Sequence, residues 1–293
     1  MFRGSWVALI TPMLANTDID YLGLKQLVDF HLKNGTQGLV IMGTTGEAAT
    51  ISFAEQLKVI AAVCEQVNGQ IGVIAGNGTN ATAETIERTK ALSLLPIDGF
   101  LTVTPFYNKP MQKGMIAHFN AVAAVTDKPV LLYNVPSRTG IDLLPETVAE
   151  LAKTSNIVGI KEATRSMQRL AQLQQLCPAD FMLLSGDDAS AAEFMLRGGH
   201  GVISVTTNIA PKKMAQLCAA ALTQQREQAE SIDNTLVALH KDLFIEANPI
   251  PAKWALQKMG LINSDMLRLP LTQLEPIHGA AIEQALRLAD IQF

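Results

Sequence analysis

NIVGIK, residues 156–161, is a short apolar and β-branched run that ends on a lysine. It is too short for a buried helix, and its unbroken hydrophobicity is that of a strand covered on both faces. The same kind of run recurs along the chain. SWVALI begins at Ser5, GLVIMG at Gly38, IGVIAG at Ile71 and GFLTVT at Gly99. PVLLYN begins at Pro129, FMLLSG at Phe181 and GVISVT at Gly201. Successive starts are separated by about one strand, one helix and two loops. Helical periodicity fills the intervals, as at 22–32, 53–67, 83–94 and 114–125. Pro145 with Glu146 behind it marks a helix start, and Asp188 is read as opening the helix DASAAEFML.

Buried strands alternating with helices imply a parallel sheet whose faces the helices cover. Eight such units predict an α/β fold, the (β/α)8 TIM barrel. The rival, an open doubly wound sheet, usually has fewer strands and a glycine-rich first turn. The first turn here, TPMLANTD (11–18), has no G-x-G-x-x-G. From residue 210 onward the chain reads as helices only, with KWALQKMG and AAIEQALRLA amphipathic. The expected organisation is a catalytic barrel over 1–224 and a C-terminal helical extension packed on it over 225–293.

Composition narrows the function classes. Lys+Arg 23 against Asp+Glu 27 gives a net charge of −4, with no block of like charge, so neither a nucleic-acid surface nor a polybasic membrane anchor is expected. Cys64, Cys177 and Cys218 lie far apart with no C-x-x-C spacing, which predicts reduced thiols rather than a disulfide frame or a zinc site. The first apolar run is broken by Pro12, too early for a signal segment, and no stretch of about 18 apolar residues follows. A cytoplasmic enzyme without a membrane span is the expectation.

In a barrel the active site is built at the C-terminal ends of the strands, and those ends are polar here. They read GTTGE (43–47), AGNGTN (75–80), TPFYN (104–108), YNVPSRTG (133–140), KEAT (161–164), SGDD (185–188) and SVTTN (204–208). Lys161 terminates a strand buried on both faces, where partial desolvation disfavours the ammonium. A free amine there is the nucleophile that imine chemistry with a carbonyl substrate needs. The structural alternative is a buried ion pair with Glu47 or Asp187. Tyr133 ends the neighbouring strand, where its phenol is within reach of Lys161 for proton transfer, unless it is a core tyrosine. Thr44 and Thr45 sit in a glycine-flanked loop suited to a small carboxylate, or to ordinary turn and cap roles. Arg138, in the tight PSRTG loop, is either a bidentate carboxylate ligand or a solvated arginine.

The five histidines show no H-x-H or H-E-x-x-H spacing, and His200 precedes its strand, at the wrong rim. GGHG (198–201) likewise reads as a helix-to-strand turn rather than a phosphate loop. Glu47, Glu162, Asp187 and Asp188 form the only magnesium set on offer, which supports a second reading, a metal-dependent hydrolase. A catalytically silent binding barrel is a third. The favoured reading has no metal and no cofactor.

These segments together resemble the dihydrodipicolinate synthase (4-hydroxy-tetrahydrodipicolinate synthase) family, class I aldolase-type barrels in the superfamily of N-acetylneuraminate lyase. GTTGEAAT (43–50), GNGTNATAETI (76–86), LTVTPFYNKP (101–110) and YNVPSRTG (133–140) carry the resemblance. GIKEAT (159–164), LLSGDDA (183–189), GGHGVISVT (198–206) and ANPIPAKWAL (247–256) continue it in order. The resemblance implies an imine between Lys161 and pyruvate, whose enamine attacks L-aspartate 4-semialdehyde in the diaminopimelate–lysine pathway. It implies that Tyr133, Thr44 and Tyr107 form a proton relay, with Tyr107 entering from the neighbouring subunit. Thr45 would receive the pyruvate carboxylate, the backbone around Gly186 and Ile203 would line the pocket, and Arg138 would hold the semialdehyde carboxylate. Arg138 favours this activity over a lyase acting on sugar acids, the alternative within the superfamily. The shared Tyr107 implies a homo-oligomer of at least two subunits, and the family's usual assembly is a tetramer, a dimer of dimers.

One departure bears on regulation. Ala49, Asn80 and Glu84 fit the lysine feedback site of inhibited family members. Phe53, Gln56 and Phe106 stand where lysine-sensitive bacterial members carry His, His and Tyr, so weak or absent inhibition by L-lysine is expected.

Overall fold

A computed structural model describes residues 2–293. Eight parallel strands close on themselves in chain order. They are β1 (Gly4–Ala8), β2 (Gly38–Ile41), β3 (Gly72–Gly76), β4 (Gly99–Val103), β5 (Val130–Asn134), β6 (Ile157–Glu162), β7 (Met182–Ser185) and β8 (Gly201–Ser204). The helices are α1 (Tyr21–Lys33), α2 (Phe53–Val67), α3 (Thr82–Ser93), α4 (Gln112–Ala123), α5 (Pro136–Thr139) and α6 (Pro145–Leu151). They continue as α7 (Met167–Leu176), α8 (Ala191–Leu196), α9 (Pro211–Leu222), α10 (Arg226–Asp242), α11 (Ile250–Lys258) and α12 (Gly279–Leu288). The (β/α)8 barrel predicted from the strand repeat is the fold.

Local chemistry explains where the helices start. The Asp20 carboxylate accepts the Gly23 N–H at the head of α1. At α2, Ser52 and Glu55 form a reciprocal capping box, satisfying two backbone donors that the first turn leaves free. Asp188 does not play the cap role expected of it. α8 begins only at Ala191 with no side-chain cap, and Asp188 Oδ2 instead accepts the N–H groups of Val205 (2.9 Å) and Thr206 (3.1 Å). Bonding across to the end of β8 satisfies two buried donors that no helix could. The PSRTG segment is likewise not a loop but one helical turn, α5, stopped by Gly140 at φ +72°. After α11 the chain departs from the helices-only expectation, running irregularly through 260–275 before α12.

The period of two along each strand builds two apolar layers. Trp6, Ala8, Val40, Ile74, Leu101, Leu131, Leu184 and Ile203 fill the barrel interior. Val7, Leu9, Leu39, Ile41, Ile160 and Val202 face the helices. Trp6 packs across Gly38 and Gly72, where a Cβ would lie 2.1 and 2.3 Å from its ring, so only glycine admits the indole. α10 packs on α9 and α12. Among the described residues no helix is long and apolar enough to cross a membrane.

Candidate active site

Register sets the centre of the site. β5 and β6 pair with Tyr133 opposite Lys161, and β6 pairs with β7 so that Lys161 lies opposite Leu184. Neighbours in register share a face, so Tyr133 and Lys161 both point inward at the C-terminal end of the barrel. Lys161 Nζ lies 4.4 Å from the centroid of the Tyr133 ring, and both residues are buried. The alternative of a buried ion pair for Lys161 does not hold, because its candidate partners are engaged elsewhere. Glu47 pairs with Lys253, and Asp187 pairs with Arg165 at 2.8 Å while accepting from Ser190 N and Oγ. Among the described residues Lys161 makes no ion pair. Gly186 keeps the space beside it open, since a Cβ there would come within 2.8 Å of Ala163 Cβ and 3.1 Å of Lys161 Cε.

A cavity of about 900 Å³ opens above these residues, lined by Thr44, Thr45, Tyr133, Arg138, Lys161 and Gly186 among others. The 43–47 loop is a run of tight turns, with Gly46 N bonded to Gly43 O and Glu47 N to Thr44 O, each at 3.1 Å. It is bracketed by Met42 at φ +59° and Glu47 at φ +57°. Gly76 makes room for it, as a Cβ there would sit 2.1 Å from Met42 O. Thr45 is buried, and its Oγ1 accepts from Asn248 Nδ2 at 2.8 Å. Arg138 Nη2 donates to Asn248 O at 3.4 Å. The hydroxyls of Tyr133 and Thr44 make no hydrogen bond among the described residues.

Two of the sequence-predicted residues lie outside this cavity. Tyr107 is 89% exposed at φ +73° and does not line the cavity of its own chain. Ile203 is buried in the barrel interior, and Val205 lines the cavity two residues further on. The acidic strand ends do not assemble as a cation site. Asp188 serves backbone N–H groups, Glu162 accepts from Asn134 Nδ2 at 3.1 Å, and burial pushes its carboxyl up. Among the described residues no three potential metal ligands come together. His200 Nδ1 accepts the Leu183 N–H, on the face of the barrel away from the cavity. Cys64, Cys177 and Cys218 are free, and burial pushes the first two thiols up to about 11.

Sequence reasoning gave no role to residues 244–248, which form one wall of the cavity. Within that wall the Asn248 carbonyl oxygen Oδ1 is buried without a partner, as is Thr164 Oγ1 across the cavity. The only sequence signal was ANPIPAKWAL itself, a polar residue ahead of two prolines inside an otherwise helical stretch.

A (β/α)8 barrel holding an unpaired, buried lysine at the catalytic end of β6 defines a Schiff-base lyase of the class I aldolase type. The dihydrodipicolinate synthetase family model matches residues 1–289, and the chain belongs to that family. It is 56% identical over 287 residues to the 4-hydroxy-tetrahydrodipicolinate synthase of Pseudoalteromonas atlantica, covering 98% of both chains. It is 53% identical to the enzyme of that name from Shewanella frigidimarina, covering 97% of each. Among solved structures, the chloride-inhibited dihydrodipicolinate synthase of Acinetobacter baumannii complexed with pyruvate is similar at TM-score 0.98 and 46% identity, with 100% of both chains covered. A monomeric dihydrodipicolinate synthase variant is similar at TM-score 0.96 and 39% identity, covering 99% of this chain and 98% of its own.

Proposed function

We propose that the chain is a 4-hydroxy-tetrahydrodipicolinate synthase, condensing pyruvate with L-aspartate 4-semialdehyde through an imine on Lys161. The observation that carries this is the unpaired Lys161 amine, buried beside the Tyr133 ring under an open polar cavity. A lysine amine with no ion-pair partner at this position is the nucleophile that imine formation with a ketone requires. Lys161 Nζ attacks the ketone carbon of pyruvate, and loss of water leaves the imine. Loss of a proton from the pyruvate methyl carbon gives an enamine, whose carbon attacks the aldehyde and takes it to a hydroxyl. The amino group of the bound semialdehyde then attacks the imine carbon, closes the ring and releases Lys161 as the free amine. One water leaves overall, and no oxidant or cofactor is consumed.

In this reading Tyr133 and Thr44 shuttle the protons, and Tyr107 of the partner subunit completes the relay. The high exposure of Tyr107, away from its own cavity, supports that cross-subunit role and so a homo-oligomer of at least two subunits; the assembly proposed is the family's tetramer, a dimer of dimers. Thr45 receives the pyruvate carboxylate, the backbone at Gly186 lines the pocket while Ile203 packs in the barrel interior below it, and Arg138 holds the semialdehyde carboxylate. Residues 1–224 are the catalytic barrel, and 225–293 are the helical extension that supplies its outer wall through 244–248. Free cysteines suit a cytoplasmic enzyme.

Borohydride reduction in the presence of pyruvate, followed by peptide mapping, tests the reading. A stable adduct on the peptide containing Lys161 is the expected result, and Lys161→Ala should lose both adduct and turnover. An unmodified Lys161 in folded protein would overturn the imine mechanism. Turnover of N-acetylmannosamine rather than the semialdehyde would shift the assignment to the lyase branch of the superfamily.

A further inference from the structure

Lys253 takes no part in the reaction above, yet it is one of the most deeply buried side chains in the molecule. It projects from α11, donating to Glu47 Oε1 at 2.5 Å and to the Met266 carbonyl at 2.7 Å. The other Glu47 oxygen accepts the Arg268 N–H at 3.2 Å. Both charged side chains are wholly removed from solvent. A buried ion pair of this kind commonly adds little stability over a well-packed apolar pair, because desolvation offsets the attraction. Its consequence here is geometric. Glu47 is the last residue of the 43–47 loop, and both Glu47 and Met42 hold left-handed backbone that side-chain-bearing residues rarely adopt. Such conformations persist only where surrounding contacts over-determine them.

α11 supplies those contacts at two points. Asn248, just ahead of the helix, bonds the Thr45 hydroxyl, and Lys253, near the end of its first turn, bonds Glu47. Thr45 carries the first of these ties and Thr44 adjoins it, and both line the cavity together with Lys161. We propose that Lys253 is a positioning residue: through its buried pair with Glu47 it holds the 43–47 loop, bracketed by left-handed Met42 and Glu47, so that Thr45 meets the pyruvate carboxylate in place. This inference rests on the reading of Thr45 as the pyruvate-carboxylate ligand. Donors set in place before the substrate arrives cost no reorganisation on binding, so a loop released by a fraction of an ångström loses affinity for pyruvate first.

The double variant Lys253→Met/Glu47→Gln removes both charges at nearly constant volume. The new amide can still accept from Arg268 N–H. Expected are a native circular dichroism spectrum and a pyruvate KM raised roughly tenfold. The semialdehyde KM at saturating pyruvate should stay within about twofold. Adding Thr45→Val to the double variant should cost much less than it costs the native enzyme, because the two act through one contact. A folded double variant whose pyruvate KM stays within about twofold of native would reduce the pair to a structural role and overturn the proposal. Should that variant fail to fold, Glu47→Asp keeps both charges but shortens the arm by one methylene. It must raise the pyruvate KM for the proposal to stand. Absence of a pyruvate adduct on Lys161 in the native enzyme would instead overturn the functional reading beneath it.

Discussion

Thr45→Val probes the site where its two jobs can be separated. Thr45 Oγ1 accepts the Asn248 amide at 2.8 Å, so its own hydroxyl hydrogen is free to turn into the cavity and donate to a carboxylate. A hydrogen bond to a charged group contributes about 1.5–3 kcal/mol. At about 1.4 kcal/mol per tenfold, its loss weakens pyruvate binding by roughly 10- to 150-fold. Valine fills the same volume, so the pocket does not collapse. It does strand the Asn248 amide, whose Oδ1 already lacks a partner. Leaving a buried donor unmade costs about 1–3 kcal/mol, which for a chain of this size lowers the thermal midpoint by roughly 2–6 °C. Thr45→Ser keeps the hydroxyl and should retain most of both. The assays are pyruvate KM at saturating semialdehyde, the pyruvate dependence of borohydride trapping, and a thermal melt of each variant. A Thr45→Val enzyme with native pyruvate affinity and a native melt would refute the argument.

Three further outcomes follow from named contacts. Arg138→Ala should raise the semialdehyde KM while leaving the pyruvate adduct intact, and failure to trap pyruvate would contradict its role at the second carboxylate. L-Lysine at submillimolar concentration should leave turnover unchanged. Gln56 Nε2 is committed to the carbonyls of Ala48 and Ile51, and the Arg88 guanidinium lies over the Phe53 ring, so these positions offer an added ligand little polar capacity. Submillimolar inhibition would sink this. Stability should fall on mild acidification, because burial holds His31 at about 3 and His118 at about 4, against 6.5 for the free side chain. The unfolded chain binds these protons below pH 6.5 and the folded chain does not. Stability is therefore full above that pH and is lost on lowering it, by about 1.4 kcal/mol per unit per histidine down to about 4. Thermal melts at pH 7 and 5 should show a shallower loss for His118→Leu, and an unchanged slope would refute the assignment.

The barrel was legible because its evidence is local. Eight short runs such as GLVIMG and NIVGIK are apolar on both faces, and helical periods lie between them. Nothing beyond neighbouring residues is needed to read that pattern. Lys161 and Tyr133 were legible for the same reason: each closes such a run, and strand ends are where a barrel builds its chemistry. Asp188 misled because an acidic residue at the head of DASAAEFML satisfies the local rule for a cap. Its real partners, the Val205 and Thr206 N–H groups, become neighbours only when β7 and β8 lie side by side.

What the sequence determined by itself is therefore the strand and helix alternation, the polar strand ends and the chemical character of the lysine-bearing strand. These depend on side-chain type and on periods of two and 3.6 residues. Tertiary structure decided which of the charged groups are taken. Glu47 and Asp187 were open partners for Lys161 in the sequence, and the fold gives them to Lys253 and Arg165 instead. It also decided that Asn248 and Lys253, some two hundred residues beyond the 43–47 loop, hold Thr45 and Glu47 in place. Burial and pairing at that sequence distance are set by how the C-terminal helices dock on the closed barrel, and no local pattern encodes the docking.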